Sequence, residues 1–262
     1  MIPAAFEYHR PSTLQDAVAL LGRLGDGAKV LAGGQSLIPS LNMRLSAPEL
    51  LVDITGLDAL KGITLEQGVV RIGALTTHAA LERSPEITKH VPLLAEAVRH
   101  VAHPAIRNRG TLGGSIALAD PAAEYPACLA ALEATIAVRS KDGERLVKAE
   151  HFFTGLFEVD LRPGELVAAV EVTAQLKDER SVFLELARRH GDYAIVGLAG
   201  IKTQKERRLA FFGIGAKPVV LRPGSLEAAK ASLPMPSADL YHTAATKLHL
   251  AKVLLERAWT RL

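Results

Sequence analysis

The chain has 262 residues, of which 48% are hydrophobic and 23% are charged, and its formal net charge is +3. These proportions are typical of a globular protein, and the length is enough for two domains. No apolar run approaches the roughly 18 residues of a membrane span. The first residues lack a secretory signal, so we expect a cytoplasmic protein. The basic run at 202–208 lacks interleaved aromatic residues and indicates no nucleic-acid site.

Short apolar runs predict the strands of the first half of the chain, and capping residues predict its helices. The predicted strands cover residues 28–31, 50–54 and 69–73. The predicted helices cover residues 78–83 and 92–101. Ser36 is placed to cap a further short helix, and Thr76 or Thr77 to cap the helix at 78.

The second half is predicted to begin with a helix from Pro121 to about Ala134. A hairpin follows around Asp142-Gly143, because Asp-Gly between apolar runs favours a tight turn. The remaining predicted strands cover residues 165–172, 182–187, 193–201 and 209–214, and a helix covers 238–261. Strands outnumber helices and the two do not alternate regularly. The pattern therefore favours an α+β fold over a doubly wound sheet.

Two glycine pairs are the most informative motifs of the chain. The first lies in residues 32–37 and the second in residues 107–115. Because glycine has no Cβ atom, the backbone can turn sharply there and bring its N–H groups close to an anion. Two such loops, far apart in the chain, predict a pyrophosphate held from two sides, and therefore a bound dinucleotide and redox chemistry. The alternative for Gly33-Gly34 is an ordinary turn into a helix.

Motifs of several other chemistries are absent from the sequence. Neither of the two Gly-x-Gly segments, at 25–27 and 213–215, continues into a Rossmann fingerprint. The chain has no P-loop, no nucleophile elbow and no recognisable nucleophile–base pair, so we expect no catalytic side chain of its own. His100 and His103 are too few for a zinc site, and we expect no metal. The single cysteine, Cys128, excludes a cluster held by four cysteines of this chain.

Five blocks occur in a fixed order along almost the whole chain. They cover residues 6–11, 32–39, 106–115, 120–127 and 188–194. Together they resemble the FAD-binding medium subunits of molybdenum hydroxylases, a family that includes the CO dehydrogenase medium subunit and the FAD domain of xanthine dehydrogenase. The resemblance implies a vanillyl-alcohol-oxidase (PCMH-type) FAD domain at 1–175, with subdomains at about 1–57 and 58–175. It also implies a smaller C-terminal α+β domain at 176–262.

The resemblance also implies which residues bind FAD. Amides of the first glycine loop and the Ser36 hydroxyl would bind the pyrophosphate, and the second glycine segment would close over its other side. Asp120 and Glu124 would accept hydrogen bonds from FAD hydroxyl groups. Tyr193 would lie close to the isoalloxazine ring. The implied FAD contacts are Lys29, Val30, Leu31, Ala32, Gly33, Gly34, Gln35, Ser36, Leu37, Val101, Ala102, Thr111, Gly113, Gly114, Ser115, Asp120, Glu124, Leu161 and Tyr193.

Several of these residues have alternative roles. Asp120 could cap the helix predicted at Pro121, and Tyr193 could face the core from a strand. Arg107 and Arg109 are either structural or contact a partner subunit, and we do not assign them to FAD. The family usually has Asp at the position of Glu124.

The resemblance implies one subunit of a three-component enzyme. A large subunit would oxidise the substrate at a molybdenum cofactor, and a small subunit would relay electrons through [2Fe–2S] clusters. The FAD of this chain would pass them to an external acceptor such as NAD⁺, a quinone or O₂. A dimer of heterotrimers is the implied assembly. Two alternatives stay open, a stand-alone FAD enzyme that oxidises a small alcohol and a flavin binder without turnover.

Overall fold

The computed structural model describes residues 2–262 and consists of helices packed on four β-sheets, three large and one small. The strands are β1 (Glu7–His9), β2 (Ala28–Leu31), β3 (Leu50–Asp53), β4 (Ile63–Glu66), β5 (Val69–Gly73), β6 (Thr135–Ser140), β7 (Gly143–Lys148), β8 (Phe153–Gly155), β9 (Glu158–Val159), β10 (Leu166–Thr173), β11 (Arg180–Ala187), β12 (Ala194–Lys202), β13 (Arg207–Phe212) and β14 (Val219–Leu221). The helices are α1 (Leu14–Leu24), α2 (Leu37–Asn42), α3 (His78–Arg83), α4 (Pro85–His90), α5 (Pro92–Ala97), α6 (Pro104–Arg107), α7 (Leu112–Leu118), α8 (Glu124–Ala131), α9 (Ala149–Phe152), α10 (Leu226–Ala231) and α11 (Ala244–Arg261). This mixture agrees with the predicted α+β class.

The three larger sheets follow one another along the chain, and the fourth is the antiparallel pair of β8 and β9. The first is parallel, with strand order β1–β3–β2. The second is antiparallel, with order β4–β5–β10–β6–β7, and the third is antiparallel, with order β11–β12–β13–β14. Because the strands of the first sheet are parallel, their carboxyl ends meet at one edge. The first glycine pair leaves β2 at that edge.

Helix α1 covers the parallel sheet. Thr13 begins it, because its hydroxyl oxygen accepts the N–H of Asp16 at 3.1 Å. Its buried residues are Ala17, Val18 and Leu21, which share one core cluster with Leu50 and Val52 of β3. The helix thus fixes the sheet that presents the first glycine loop.

Helix α8 joins the two antiparallel sheets into one core. Every residue from 125 to 131 is buried. The surrounding hydrophobic cluster includes Ile136 of the second sheet, and Phe183 and Phe212 of the third. The rings of Phe183 and Phe212 stack with their centroids 5.7 Å apart. The core is therefore continuous across the polar segment at 175–180.

Helix α11 closes the third sheet. Its buried apolar residues are Ala251, Leu254, Leu255 and Ala258, at the spacing of one helical face. In the part of the chain that the structure describes, no helix is both long enough and apolar enough to cross a bilayer.

Locally encoded elements agree with the sequence predictions. β5 has the predicted bounds, and α3 begins after Thr77, whose hydroxyl accepts the N–H of Ala80 at 3.1 Å. The Asp142-Gly143 turn joins β6 and β7, which pair as a hairpin. These elements follow from capping and turn residues within a few positions, so the sequence alone determines them.

Four predictions of helix structure were wrong. The helix predicted from Pro121 begins at Glu124, because the carboxylate of Asp120 accepts the N–H of Ala122 and holds a turn there. The helix predicted at 92–101 ends at Ala97, and the one predicted at 238–261 begins only after its cap, Thr243. Ser36 precedes α2 but makes no side-chain capping bond.

We predict that Gly197→Ala destabilises the protein by about 1–3 kcal/mol, the usual range for an overpacked core. A Cβ atom at Gly197 would lie 1.9 Å from the Phe212 ring, which belongs to the core around α8. Chemical denaturation measures the change in the free energy of unfolding.

Gly22→Ala is the control, because a Cβ there meets nothing within 4 Å inside α1. It is expected to leave stability unchanged or to raise it by up to about 1 kcal/mol. Equal stability of both variants would contradict the packing assigned to Gly197.

Candidate cofactor-binding site

The first glycine loop presents free amides. Lys29, Val30 and Leu31 lie on β2, residues 32–36 form the loop, and Leu37 begins α2. Gly34 has φ +71°, a conformation that favours glycine. Within residues 2–262, the N–H groups of Gly33, Gly34, Gln35 and Ser36 donate no hydrogen bond. Such a row of free donors is an anion-binding surface.

The two glycine loops touch each other. A Cβ atom at Gly33 would lie 2.3 Å from the carbonyl oxygen of Arg109 and 2.8 Å from the Cα of Gly110. Only glycine allows the two backbones this approach. The two loops therefore lie at one place, and the contact runs through Gly33 and the start of the second segment. The pyrophosphate held between them stays a prediction.

The second glycine segment uses its amides internally. Gly113 N–H donates to the carbonyl of Ala74 at 2.8 Å, and Gly114 N–H donates to the Thr111 hydroxyl oxygen at 3.1 Å. Ser115 N–H donates to the Thr111 carbonyl at 3.0 Å. A cofactor beside the second glycine segment would therefore meet hydroxyl groups and the Cα of exposed Gly114, which has no side chain. The first loop instead offers free amides.

A buried pair, His78 and Tyr125, supports the second loop, and the sequence analysis missed both. The Tyr125 hydroxyl lies 3.1 Å from Nδ1 of His78. Burial, reinforced by the charge of Arg107, lowers the pKa of His78 to about 4, so the imidazole is neutral. The backbone N–H of His78 donates to the Gly110 carbonyl at 3.0 Å. A Cβ atom at Gly110 would lie 2.7 Å from Nε2 of the His78 ring.

Arg107 is a structural residue, which decides between the two roles left open for it. It is 8% exposed, and its Nε donates to the Glu82 carboxylate at 3.0 Å. Its Nη1 donates to the carbonyl oxygens of Val101 and Ala102 at 3.1 and 3.2 Å. Ala102 has φ +45°, so these bonds hold a left-handed turn that the chain would otherwise disfavour.

Asp120 and Glu124 bring two carboxyl groups to the start of α8. Burial raises the pKa of both, in Glu124 to about 7 with a contribution from the charge of Asp120. Neither forms an ion pair within residues 2–262. A carboxyl group without a cation is suited to hydroxyl donors, so the pair fits a ligand rich in hydroxyl groups.

Tyr193 lies in the turn between β11 and β12 and is 71% exposed. The alternative that it faces the core from a strand was therefore wrong. Partial burial and the charges of Asp120, Glu124 and Asp192 raise the pKa of its phenol. The same turn packs on Ala102, because a Cβ at Gly191 would lie 2.5 Å from the Ala102 carbonyl oxygen.

Leu161 is half-buried and packs against the main core, and Val101 is buried beside Ala102. The structure places Leu161 in the connection after β9. Its predicted contact with the adenine or the flavin stays a prediction.

The donor and acceptor pattern of this site fits FAD. The free amides of the first loop suit a diphosphate, and the unpaired carboxyl groups of Asp120 and Glu124 suit ribose or ribityl hydroxyls. Exposed Tyr193, with the turn at 101–102, supplies a surface for a flat aromatic ring. These groups lie on neighbouring segments of the fold.

The chain belongs to the family of FAD-binding domains of molybdopterin dehydrogenases. The model of this family, described as "FAD binding domain in molybdopterin dehydrogenase", matches residues 4–174. The match confirms the resemblance seen in the five sequence blocks, the oxidoreductase class and FAD as the cofactor.

Similar proteins agree with this family. The chain is 45% identical over 207 residues to the 6-hydroxypseudooxynicotine dehydrogenase complex subunit alpha of Paenarthrobacter nicotinovorans, covering 79% of this chain and 70% of the relative. It is 42% identical over 199 residues to the carbon monoxide dehydrogenase medium chain of Hydrogenophaga pseudoflava, covering 76% and 69%. A solved carbon monoxide dehydrogenase from H. pseudoflava, which lacks the Mo-pyranopterin moiety, matches with a TM-score of 0.92 at 36% identity, covering 100% of this chain and 98% of that chain.

We predict that Glu124→Gln flattens the dependence of stability on pH. The folded-state pKa of about 7 lies above the ordinary value of 4.5, so the folded chain binds more protons between these values. Stability is therefore lost as the pH rises from 4.5 through 7, by at most about 3 kcal/mol. Urea denaturation of the FAD-free chain at pH 5 and pH 8 measures the difference.

The matched control is Glu66→Gln, at an exposed position of β4. It should keep the pH dependence of the wild type. Identical curves for Glu124→Gln and the wild type would mean that Glu124 ionises normally in the folded chain.

Proposed function

We propose that this chain is the FAD-carrying electron-transfer subunit of a heterotrimeric molybdenum hydroxylase. It takes electrons from [2Fe–2S] clusters of a small partner subunit and passes them to an external acceptor. The substrate is oxidised in a large partner subunit that holds the molybdenum cofactor. The observation that carries the proposal is the meeting of the two glycine loops, one of which presents four unused amides.

In this proposal the diphosphate of FAD lies on the loop at 32–37, with the Ser36 hydroxyl as a further donor. Ser36 is suited to this role because its side chain is not used to cap α2. The second wall consists of Thr111, Gly113, Gly114 and Ser115. The amides of Gly113, Gly114 and Ser115 are satisfied within the protein, so the contribution of these residues is hydroxyl groups and close packing against the cofactor.

The isoalloxazine ring is proposed to lie beside Val101, Ala102 and Tyr193. Arg107 fixes the first two through their carbonyl groups, and Gly191 packs the turn of Tyr193 onto the same segment. Bound flavin supplies the redox chemistry, and these residues bind it and limit access to it.

The role as one subunit of a complex is supported by the relatives, whose names describe a complex subunit and a medium chain. A stand-alone FAD enzyme that attaches its flavin through a thiol is not favoured, because Cys128 is fully buried and burial raises its pKa.

The finer features of the proposal come from the family. They are the PCMH-type layout with subdomains at about 1–57 and 58–175, a C-terminal domain at 176–262, a dimer of heterotrimers and a cytoplasmic location. The polar segment at 175–180 supports the proposed boundary, although the core continues across it.

We predict that Gly114→Val weakens FAD binding by about a hundredfold or more, equivalent to about 2.7 kcal/mol. Gly114 is exposed, and a Cβ there meets only the Thr111 hydroxyl oxygen, at 3.0 Å. The added methyl groups therefore point to where the cofactor is proposed to lie, and the fold accommodates the Cβ atom with a shift of a few tenths of an ångström at Thr111. Calorimetric titration of the FAD-free chain with FAD measures the affinity.

Gly224→Val is the control, because Gly224 is also exposed and has nothing within 4 Å of an added Cβ. It should bind FAD like the wild type. A wild-type chain that cannot be reconstituted with FAD would refute the proposal. If the chain alone oxidised a small alcohol at the expense of its FAD, and no molybdenum or iron protein copurified with it, the stand-alone enzyme would replace it.

A further inference from the structure

Glu185 of β11 is a buried acid that the proposed FAD contacts do not use. Its side chain is 3% exposed, and its Oε2 atom has no hydrogen-bond partner within residues 2–262. The nearest basic atom is Nδ1 of His100, 3.7 Å from Oε2, which is beyond hydrogen-bond distance. Burial without a partner destabilises the charged carboxylate and favours the neutral, protonated acid.

The groups that face Glu185 come from three elements. Glu124 and Cys128 face it from α8, and Glu96 from the end of α5, where its carboxylate accepts the N–H of Phe183 at 3.0 Å. His100 follows α5, and His190 of the β11–β12 turn lies 6.1 Å from it between ring centroids. The charge of Glu124 disfavours a negative charge on Glu185, and the imidazole of His100 is the basic group within 4 Å of it among residues 2–262.

Burial and the charge of Glu124 raise the pKa of Glu185 to about 8, so Glu185 carries its proton at neutral pH. The charge of His190 and burial lower the pKa of His100, with burial the larger cause. The side chain of His100 is 37% exposed, so it links the enclosed acid to solvent. Glu185 therefore holds its proton in an enclosed place. The His100 imidazole lies on the side of solvent, and Glu124, a proposed FAD contact, lies on the other side.

Electron arrival at a flavin creates a need for a proton in this region. Iron–sulfur clusters deliver electrons without protons, whereas the two-electron reduction of a flavin takes up at least one proton. A bound cofactor limits the access of water to its site, so a proton held by a nearby side chain could supply the proton that flavin reduction requires.

We propose that Glu185 stores a proton for flavin reduction and that His100 returns it from solvent. The inference rests on the proposed function. Two electrons come from reduced [2Fe–2S] clusters of the partner, and the neutral Glu185 acid releases one proton towards the FAD site through Glu124 and becomes a carboxylate. His100 takes a proton from water and passes it to that carboxylate. Glu185 acts through Glu124 and is therefore a positioning residue.

The test uses Glu185→Gln in the complex as isolated, with Glu66→Gln as the control. A glutamine keeps the shape of the neutral acid but releases no proton. A flavin that takes up two electrons and one proton gains a negative charge, which raises the pKa of Glu185. In the wild type and in the control, the midpoint potential of bound FAD, plotted against pH, should therefore change slope near pH 8. In Glu185→Gln this change should be absent, while the FAD content stays the same. Flavin reduction at neutral pH should slow by about a hundredfold.

His100→Gln separates storage from return of the proton. Its potential should keep the change of slope, since Glu185 still titrates, while flavin reduction slows in successive turnovers after a normal first one. Identical slopes and rates in the wild type and Glu185→Gln would overturn the proposal and leave Glu185 as a neutral core group.

An infrared difference spectrum of the wild type, reduced minus oxidised, gives a readout that requires no variant to fold. Recorded during the first reduction, before His100 returns the proton, it should show the loss of the C=O stretch of a protonated carboxyl group, and the absence of this loss would also overturn the proposal. Failure of the wild-type complex to hold FAD would instead refute the proposed function, so the two failures are distinguishable.

Discussion

The contact between Gly33 and the backbone at Arg109 and Gly110 is the constraint on which the site depends. An added Cβ atom at Gly33 would lie 2.3 Å from a carbonyl oxygen, so a side chain there would separate the two loops. The loops come from different parts of the fold, one from the edge of a parallel sheet and one from the segment before α7. His78 and Tyr125 fix the second loop from the core side, and α1 fixes the sheet that carries the first.

Helix α8 connects this site to the rest of the molecule. Its buried body fills the core between the two antiparallel sheets, and its first residue, Glu124, belongs to the proposed FAD site. Glu185 lies on the third sheet, and the charge of Glu124 acts on it. The ionisation of these two acids is therefore set by α8 and the third sheet together, because each contributes a buried carboxyl group.

Features encoded by neighbouring residues could be predicted from the sequence. The Thr77 cap of α3, the Asp142-Gly143 hairpin and the two glycine loops depend on positions a few residues apart. Arg107, the His78–Tyr125 pair and Glu185 could not be assigned, because their roles come from groups brought together only by folding. The helix predicted at 92–101 was too long, because the N–H groups of residues 99–101 bond to carbonyls three residues back and form turns instead of α-helix.

The two walls of the site differ in how they tolerate change during evolution. The first offers backbone amides, which exist whatever the side chains are, so sequence drift there is restricted mainly by the need for glycine. The second offers the hydroxyls of Thr111 and Ser115, with the carboxyl groups of Asp120 and Glu124 nearby in the chain, and one substitution can remove or recharge such a side chain. The side-chain groups of the proposed site can therefore change while the backbone amides of the first wall stay in place.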